Sequence, residues 1–459
     1  MCQPRSAHVE RRGAVQPQAD GRGGRSAPPR LVAVQFDPQR RAASRDLLRT
    51  LKGLAVHLET TEARLGLRQR SRKPDDRAKF HIAIEAFACN LAALALTRSP
   101  LPLAVPRRSG VMWSATRYRP EVYGQHFLDA LDLMTHPEVG LAKIITRGFR
   151  LEDGRRRQTT IRPTQALLDA IDFVTIDWGA FERQEDPEVL ILRGPKDRKT
   201  GQSNVLDYKD TATTRKLRKQ VQTINRYLTA APLFLLPASS PTPSETLPAD
   251  PTRRTVRRIF NNGLWTEGGR LFDGFWEIMP RQERFERLRI GTAGCPEGEP
   301  IANVDFGQLF ASLAYRQCDL LTPEGDLYAI WGDGSHRDGF KRLLNALLFA
   351  RGPLTRWPQD TSSCFPKGTK LQAVLADIRH HHAPIAHLFG TGIGFSLMAI
   401  ESAILIDALL RLFASGVTAL PLHDSVLVAQ SNEEAAREAM QASHATYARS
   451  CAKLRIDKV

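Results

Sequence analysis

The sequence predicts an α+β protein in four parts: a disordered basic tail, a helical N-terminal part that ends in a basic hairpin, a proline-rich linker, and a C-terminal domain of antiparallel strands and helices. Three observations lead there. Apolar residues recur at helical spacing over long stretches, short strand-like runs lie among them, and composition breaks near residue 44 and at 237–251 divide the chain. The 459 residues correspond to about three folded units at roughly 150 residues each. With 42% hydrophobic and 25% charged residues, most of the chain can bury a core.

The net charge of +16 and a pI near 9.9 call for a polyanionic partner, nucleic acid first and an anionic membrane surface second. Cys2, Cys89, Cys295, Cys318, Cys364 and Cys451 form no C-x-x-C pair, which argues against a disulfide framework and a Cys-based zinc module. The longest apolar stretch, Ala86–Thr97, falls short of the roughly 20 residues a bilayer requires, and Ile393–Ala414 is interrupted by Glu401, Asp407 and Arg411. No apolar signal segment opens the chain, so a cytoplasmic location with no membrane partner is expected.

Residues 1–44, typified by GRGGRSAPPR at Gly21–Arg30, hold few large apolar side chains and cannot offset their ordering entropy by burial. Their arginines either hold phosphates or are simply solvated. From 45 to 118, Leu47, Leu48, Leu51, Leu54, Val56 and Leu58 recur near helical spacing, and Phe80–Leu96 forms a longer apolar helix. This is scaffold.

Residues 119–236 carry more information. A helix at Tyr123–Met134 is followed by a short helix around Pro137–Lys143. Ile144–Leu151 and Gln158–Ile161 then flank Asp153-Gly154, a dipeptide suited to the positive φ of a tight hairpin. The hairpin bears Arg147, Arg150, Arg155, Arg156 and Arg157, and Thr164 caps a further helix through Ile171. Helix, helix, basic hairpin, helix resembles a winged-helix module, which would set Arg155, Arg156 and Arg157 against DNA; an unrelated α+β subdomain with exposed arginines fits the same pattern. Val189–Leu192 reads as a buried strand. Thr211–Tyr227 reads as a basic helix whose cations either meet phosphates or form the wet face of a core helix. Residues 237–251 contain five prolines in fifteen, the composition of a semi-rigid linker.

The chemistry lies beyond it, in residues 252–459. Ala302–Phe306 reads as a strand with Asp305 at its end. Ala419–Leu422 runs into His423-Asp424-Ser425 and out through Val426–Ala429, a hairpin with a carboxylate at its tip. Two aspartates on adjacent strands can hold a pair of Mg²⁺ ions about 3.5–4 Å apart, the geometry of phosphoryl transfer. Between them, Arg337, Lys341, Asn345 and Phe349 recur every fourth residue on one helix face. Such a face can grip a triphosphate and stack beside a base; equally, it can be the solvated side of an amphipathic helix whose core is Leu343, Leu344, Leu347 and Leu348. Arg379-His380-His381-His382 with His387 is a poor zinc candidate, because adjacent histidines diverge on a helix.

The order and spacing of these elements, an aspartate after a strand, an Arg-x-x-x-Lys helix with an aromatic eight residues on, and a His-Asp hairpin, resemble motifs A, B and C of the DNA polymerase I family (family A). Gly268-Gly269-Arg270-Leu271 with Met279-Pro280-Arg281 is similar to that family's T-G-R-L and I-P-x-R segments. Asp326-Leu327-Tyr328 is similar to its D-I-H step, and Gly394–Phe413, with Glu401 and Ser402, takes the place of the helix leading into motif C. Phage-type single-subunit RNA polymerases share the palm and the H-D-S motif. The resemblance covers about residues 253–445. It implies a palm-like domain in which Asp305 and Asp424, with His423 beside them, hold two Mg²⁺ or Mn²⁺ ions. It further implies that Arg337, Lys341, Asn345 and Phe349 bind the nucleoside triphosphate, and that Arg270 and Arg281 touch a DNA primer–template, Arg270 in the minor groove near the primer end. Departures are Phe310 where a glutamate is usual, Asn345 where an aromatic is usual, and Phe349-Ala350 in place of Tyr-Gly. With no thumb-like helical pair and no D-x-E exonuclease signature, low processivity and no proofreading are expected. The resulting reading is template-directed DNA polymerisation, in replication or repair of a bacterial, plasmid or phage replicon; a non-catalytic DNA-binding replication protein that keeps the palm is the alternative.

Overall fold

The computed structural model describes residues 33–150, 156–197, 200–238, 247–332, 334–448 and 454–458, an α+β fold with largely antiparallel sheets. Two apolar cores organise it, one running from Phe36 to Phe181 and the other from Val189 to Ala448.

The first core begins earlier than composition suggests. Residues 1–32 lie outside the described residues, but 33–44, expected to be tail, form β1 (Val34–Gln35) and β2 (Arg40–Ala42). Arg40 and Arg41 are buried there: Arg40 pairs with Asp250, and Arg41 donates to the carbonyls of Pro38 and Arg40. Sequence-distant partners thus turn a basic tract into core lining. α1 (Arg45–Arg64) is capped by the Ser44 hydroxyl, which accepts from Leu47 N–H. α2 (Pro74–Leu96) starts on proline, whose missing N–H costs nothing in a first turn. By length and composition α2 is apolar enough to cross a membrane, yet 67% of its most apolar window is buried inside the fold. Its Phe87 ring packs against Phe127 and Phe36 at 4.6 and 5.0 Å, and its single amide, Asn90, exchanges two hydrogen bonds with the backbone of Asp37.

Then come β3 (Leu103–Val105), α3 (Ser109–Met112) and α4 (Gln125–Met134). The helix expected at 137–143 is absent. The chain turns at Gly140 (φ +60°), and the β-branched Ile144, Ile145 and Thr146 enter β4 (Ala142–Thr146). β5 (Phe149–Arg150) pairs with β6 (Arg156–Arg157), and β4 pairs with β7 (Thr159–Pro163), so the basic hairpin forms. Its Asp153-Gly154 tip and Arg155 lie outside the described residues. Thr164 caps α5 (Gln165–Ala170) as expected. The hairpin is half of a four-stranded sheet ordered β1-β3-β7-β4, in which β4 is an edge. β8 (Phe181–Arg183) returns to pair with β2.

The passage between the cores, residues 182–188, is held by ions rather than apolar contact. Arg183 donates to Asp37 at 2.8 Å and to Asp186 at 3.1 and 3.2 Å. Glu188 accepts from Arg117 on one side (3.1 Å) and Arg218 on the other (2.9 and 3.2 Å), and also from its own backbone neighbours Val189 and Leu190.

In the second core come β9 (Leu190–Leu192), α6 (Ala212–Ala230), β10 (Leu233–Leu235), β11 (Arg257–Phe260) and β12 (Gly268–Phe272). These overturn the proline-rich stretch as a boundary. β9, before it, lies parallel to β11, after it; β10, before it, lies antiparallel to β13 (Leu288–Ile290). Strands from before the proline-rich stretch are thus built into sheets with strands from after it, so proline density does not mark a division between cores. α6 buries Val221, Ile224 and Leu228, turns Arg218 inward to Glu188, and leaves Arg215, Lys216, Lys219 and Arg226 exposed. α7 (Phe275–Ile278) and α8 (Arg281–Arg287) precede β13, and β14 (Glu299–Phe306) leads into α9 (Leu309–Gln317). Beyond them lie α10 (Arg337–Phe349), α11 (Leu371–His381), α12 (Gly394–Ala414), β15 (Ala419–Leu422), β16 (Ser425–Ala429), α13 (Glu433–Ala448) and β17 (Leu454–Asp457). The six-stranded sheet is ordered β10-β13-β14-β16-β15 with β17 on β14, and α12 packs against α9, α13 and β12.

Candidate active site

β14 alternates buried and half-buried residues, with Ile301, Ala302 and Val304 in the core and Asp305 next to last. Asp305 lies opposite Ser425 in the β14–β16 register, where paired Cα atoms are about 5 Å apart, so Asp424 is its near neighbour. Leu422 pairs with Ser425, leaving His423 and Asp424 as a two-residue loop, and His423 takes the positive φ (+59°) that such a loop asks of its first residue. A non-glycine held there is a locally strained position. Trp276, fully buried on α7, secures the hairpin from below: its indole N–H donates to the Pro421 carbonyl at 2.7 Å.

Burial, and next the charge of Asp424, push the Asp305 carboxyl up to about 7, while Arg455 and Lys341 oppose the shift. Asp305 Oδ1 is buried and has no hydrogen-bond partner. An orphaned carboxylate oxygen beside a second carboxylate fits a hard divalent cation, and Mg²⁺ is commonly held by one or two carboxylates with substrate phosphates and water completing the shell. Among the described residues no group of three or more His, Cys, Asp and Glu is arranged for a metal, so the pair Asp305 and Asp424 is the candidate.

The α10 face divides. Arg337 is taken up by Asp326 at 2.5 Å and lies over the Tyr328 ring, 5.1 Å from its centroid. Lys341 is exposed and pairs with no carboxylate among the described residues, and its charge reaches Asp305. Asn345 Oδ1 is buried without a partner. Phe349 does not present a free ring: it packs between Phe310 at 5.3 Å and Phe395 at 5.1 Å, and a Cβ on Gly394 would sit 2.8 Å from it.

Arg270 on β12, expected against DNA, is engaged within the protein. Its Nε and Nη2 donate to both carboxylate oxygens of Glu401 at 2.7 and 2.8 Å. Glu401 is wholly buried on α12, and burial pushes its carboxyl up to about 7 although Arg270 pulls the other way. Arg281 is exposed, pairs with Asp457 at 3.1 Å and lies over Phe285. His423 is exposed at the loop, with Asp424 half-buried beside it; desolvation and then the Arg270 charge depress the His423 pKa, and Asp424 opposes them. Arg156 and Arg157 belong to the first core's hairpin, where Arg157 is exposed. His382 is a core residue rather than a ligand, its ring nitrogens meeting the Tyr315 hydroxyl at 2.9 Å and the Leu327 carbonyl at 3.0 Å, and burial lowers it to about 4.

Sequence reasoning missed two features. The Arg270–Glu401 pair was signalled by a lone glutamate inside an otherwise apolar stretch of α12. Arg455, opposite Asp305 in the β14–β17 register, had no signal, because a four-residue strand is too short to show a pattern.

No protein-family model matches the chain, and no curated protein matches it. Among solved structures it is similar to the POL domain of Pol1 from M. smegmatis in complex with DNA primer-template and dNTP, at 10% identity and a TM-score of 0.29 over 89% of this chain. The chain spans 65% of that structure's length.

Proposed function

We propose that the chain is a template-directed nucleotidyltransferase that extends a DNA primer with nucleoside triphosphates. The observation that carries this reading is the juxtaposition of Asp305 and Asp424 at the end of a central sheet, with the charge of Lys341 felt at the same acidic pair. Divalent ions held there would stabilise the attacking and leaving oxygens of an in-line phosphoryl transfer. Asp305, orphaned at Oδ1, and Asp424, on its two-residue loop, provide the ligand oxygens. Lys341 supplies a mobile cation for the polyphosphate. Phe310, packed against Phe349, sets an aromatic ring where the resemblance would have a carboxylate. The Arg270–Glu401 pair ties β12 to α12.

A second reading, a DNA-binding platform without turnover, is favoured by the engagement of Arg337 with Asp326 and of Phe349 with its neighbours, which leaves less of α10 open to a nucleotide. Primer extension decides between them. Extension of a labelled primer–template with dNTPs, and separately NTPs, in Mg²⁺ or Mn²⁺ is expected for the wild type, and Asp424→Ala should lower it by several orders of magnitude. An Asp424→Ala protein that extends at the wild-type rate would end the polymerase reading. Tight binding by the wild type with no extension under either metal would establish the platform.

A further inference from the structure

The edge strand β4 has an unusual outer surface. Ala142 is buried and Ile144 and Thr146 are half-buried, whereas Lys143, Ile145, Arg147 and Phe149 are exposed, Ile145 and Phe149 by 46% and 47%. Lys143 and Arg147 pair with no carboxylate among the described residues, and Arg157, opposite Phe149 in the β5–β6 register, is exposed too. From 142 to 163 the sequence carries Lys143 and six arginines against Glu152 and Asp153. A bulge between Ile144 and Thr146 adds twist to the ribbon.

The neighbouring helix contrasts with it. α4, which precedes the hairpin, turns Gln125 and Asp132 outward and half-buries Asp129; Arg68 bonds Asp129, and Arg107 bonds Asp132 in a fork at 2.6 and 3.1 Å. An acidic, already paired helix face repels phosphate. α4 carries no lysine or arginine, so the exposed cations of this stretch are on the ribbon.

We propose that the β4–β7 hairpin is an arm that grips duplex DNA as a two-stranded ribbon, with Lys143 and Arg147 meeting the phosphates that wall the major groove and Ile145 lying between them. Four strand residues separate the two cations by roughly 13 Å, close to the groove width of about 12 Å, and that groove admits a two-stranded ribbon. Phe149 and Arg157 extend the contact toward the hairpin tip. The contacts are to backbone, so the arm binds with little sequence preference and with strong salt dependence. This inference stands apart from the nucleotidyltransferase reading, because it concerns the other core.

The test uses the full chain and a fluorescent 20-base-pair duplex, with anisotropy measured from about 50 to 200 mM salt. The double variant Lys143→Glu/Arg147→Glu should weaken binding at least tenfold at 100 mM salt and flatten the log K against log salt slope by about two, close to one per lost phosphate contact. Arg215→Glu/Lys216→Glu/Lys219→Glu on α6, a rival basic surface, should leave the slope within about half a unit of wild type. Ile145→Ser should keep the salt slope while lowering affinity a few-fold. Circular dichroism and melting establish that each variant is folded. A folded hairpin variant that binds as wild type overturns the proposal, as does transfer of the loss to the α6 variant. Tighter binding to single strand than to duplex also overturns it, as does binding to anionic phosphatidylserine vesicles with none to DNA. If extension activity is absent altogether, the binding result still stands and the nucleotidyltransferase reading alone fails.

Discussion

Replacing Arg270 with methionine keeps much of the side chain's length and removes the charge that faces Glu401. Glu401 is fully enclosed, and its two oxygens receive the guanidinium at 2.7 and 2.8 Å. Breaking such a pair from one side costs about 3–5 kcal/mol where the remaining carboxylate stays charged without partner or water, and less where it takes up a proton. The cost must depend on pH, and its sign comes from the carboxyl. In the wild type Glu401 titrates at about 7 in the fold against 4.5 when unfolded, so the native state holds the proton more tightly and stability falls as pH rises between those values. Without Arg270 the folded value moves higher, and the fall continues above pH 7 at up to about 1.4 kcal/mol per pH unit. Urea midpoints at pH 6 and pH 8 should therefore show a variant penalty larger by about 1–2 kcal/mol at the higher pH. Arg270→Met/Glu401→Leu, which removes the pair together, should recover most of the loss and show no such pH dependence. A penalty equal at both pH values would refute the argument. Full stability with lost duplex affinity would return Arg270 to the DNA contact expected from sequence.

Three other perturbations probe the same geometry. Lys341→Ala should raise KM for nucleotide or lower kcat by about tenfold or more while the dissociation constant for DNA stays within twofold, read by steady-state extension and anisotropy. Trp276→Phe leaves the Pro421 carbonyl without its donor and should cost about 1–3 kcal/mol in urea unfolding, a loss absent if water replaces the indole. Glu188→Ala should destabilise by about 1–3 kcal/mol at pH 7, because Arg117 and Arg218 lose hydrogen bonds to it but keep Asp210. Burial raises the Glu188 carboxyl, but hydrogen bonds from Arg218 and the Leu190 backbone outweigh it and hold it below its usual value. Its contribution is therefore present above about pH 4.5 and lost as pH falls further, so the variant's deficit should shrink in acid.

Local chemistry determines the part of the fold that was legible in the sequence. Thr164 caps α5 because a helix start has orphan N–H groups that a threonine hydroxyl can satisfy, and the His423-Asp424 loop stood out because apolar runs on either side make a tight hairpin. The helix α10 came from its four-residue spacing, and α12 from its place in the motif order of the resemblance. The parts that escaped depend on distant partners. Arg40 and Arg41 look like tail until Asp250 and the Asp37 turn are brought to them. Pro137–Lys143 suits a helix until Gly140 turns and three β-branched residues find β7. Arg270 looked free for a ligand because Glu401, its partner, lies 131 residues away. The composition of the proline-rich stretch carried nothing about which strands on either side of it pair with each other.

The proline-rich connection is also a place where the chain can be cut. β9, α6 and β10 precede residue 239 but are built into the architecture of the residues beyond 246: β9 on β11, β10 on β13, and Tyr227 of α6 stacked on Phe413 at 4.6 Å. Cutting the backbone between 238 and 247 would sever one covalent link and neither of those ladders. The two polypeptides so produced share a woven sheet system, and expressed separately each would lack strands that the other holds. Such a chain is suited to fragment complementation, in which the piece beyond 246 carries Asp305, Lys341 and Asp424 and the piece before 239 supplies β9, α6 and β10.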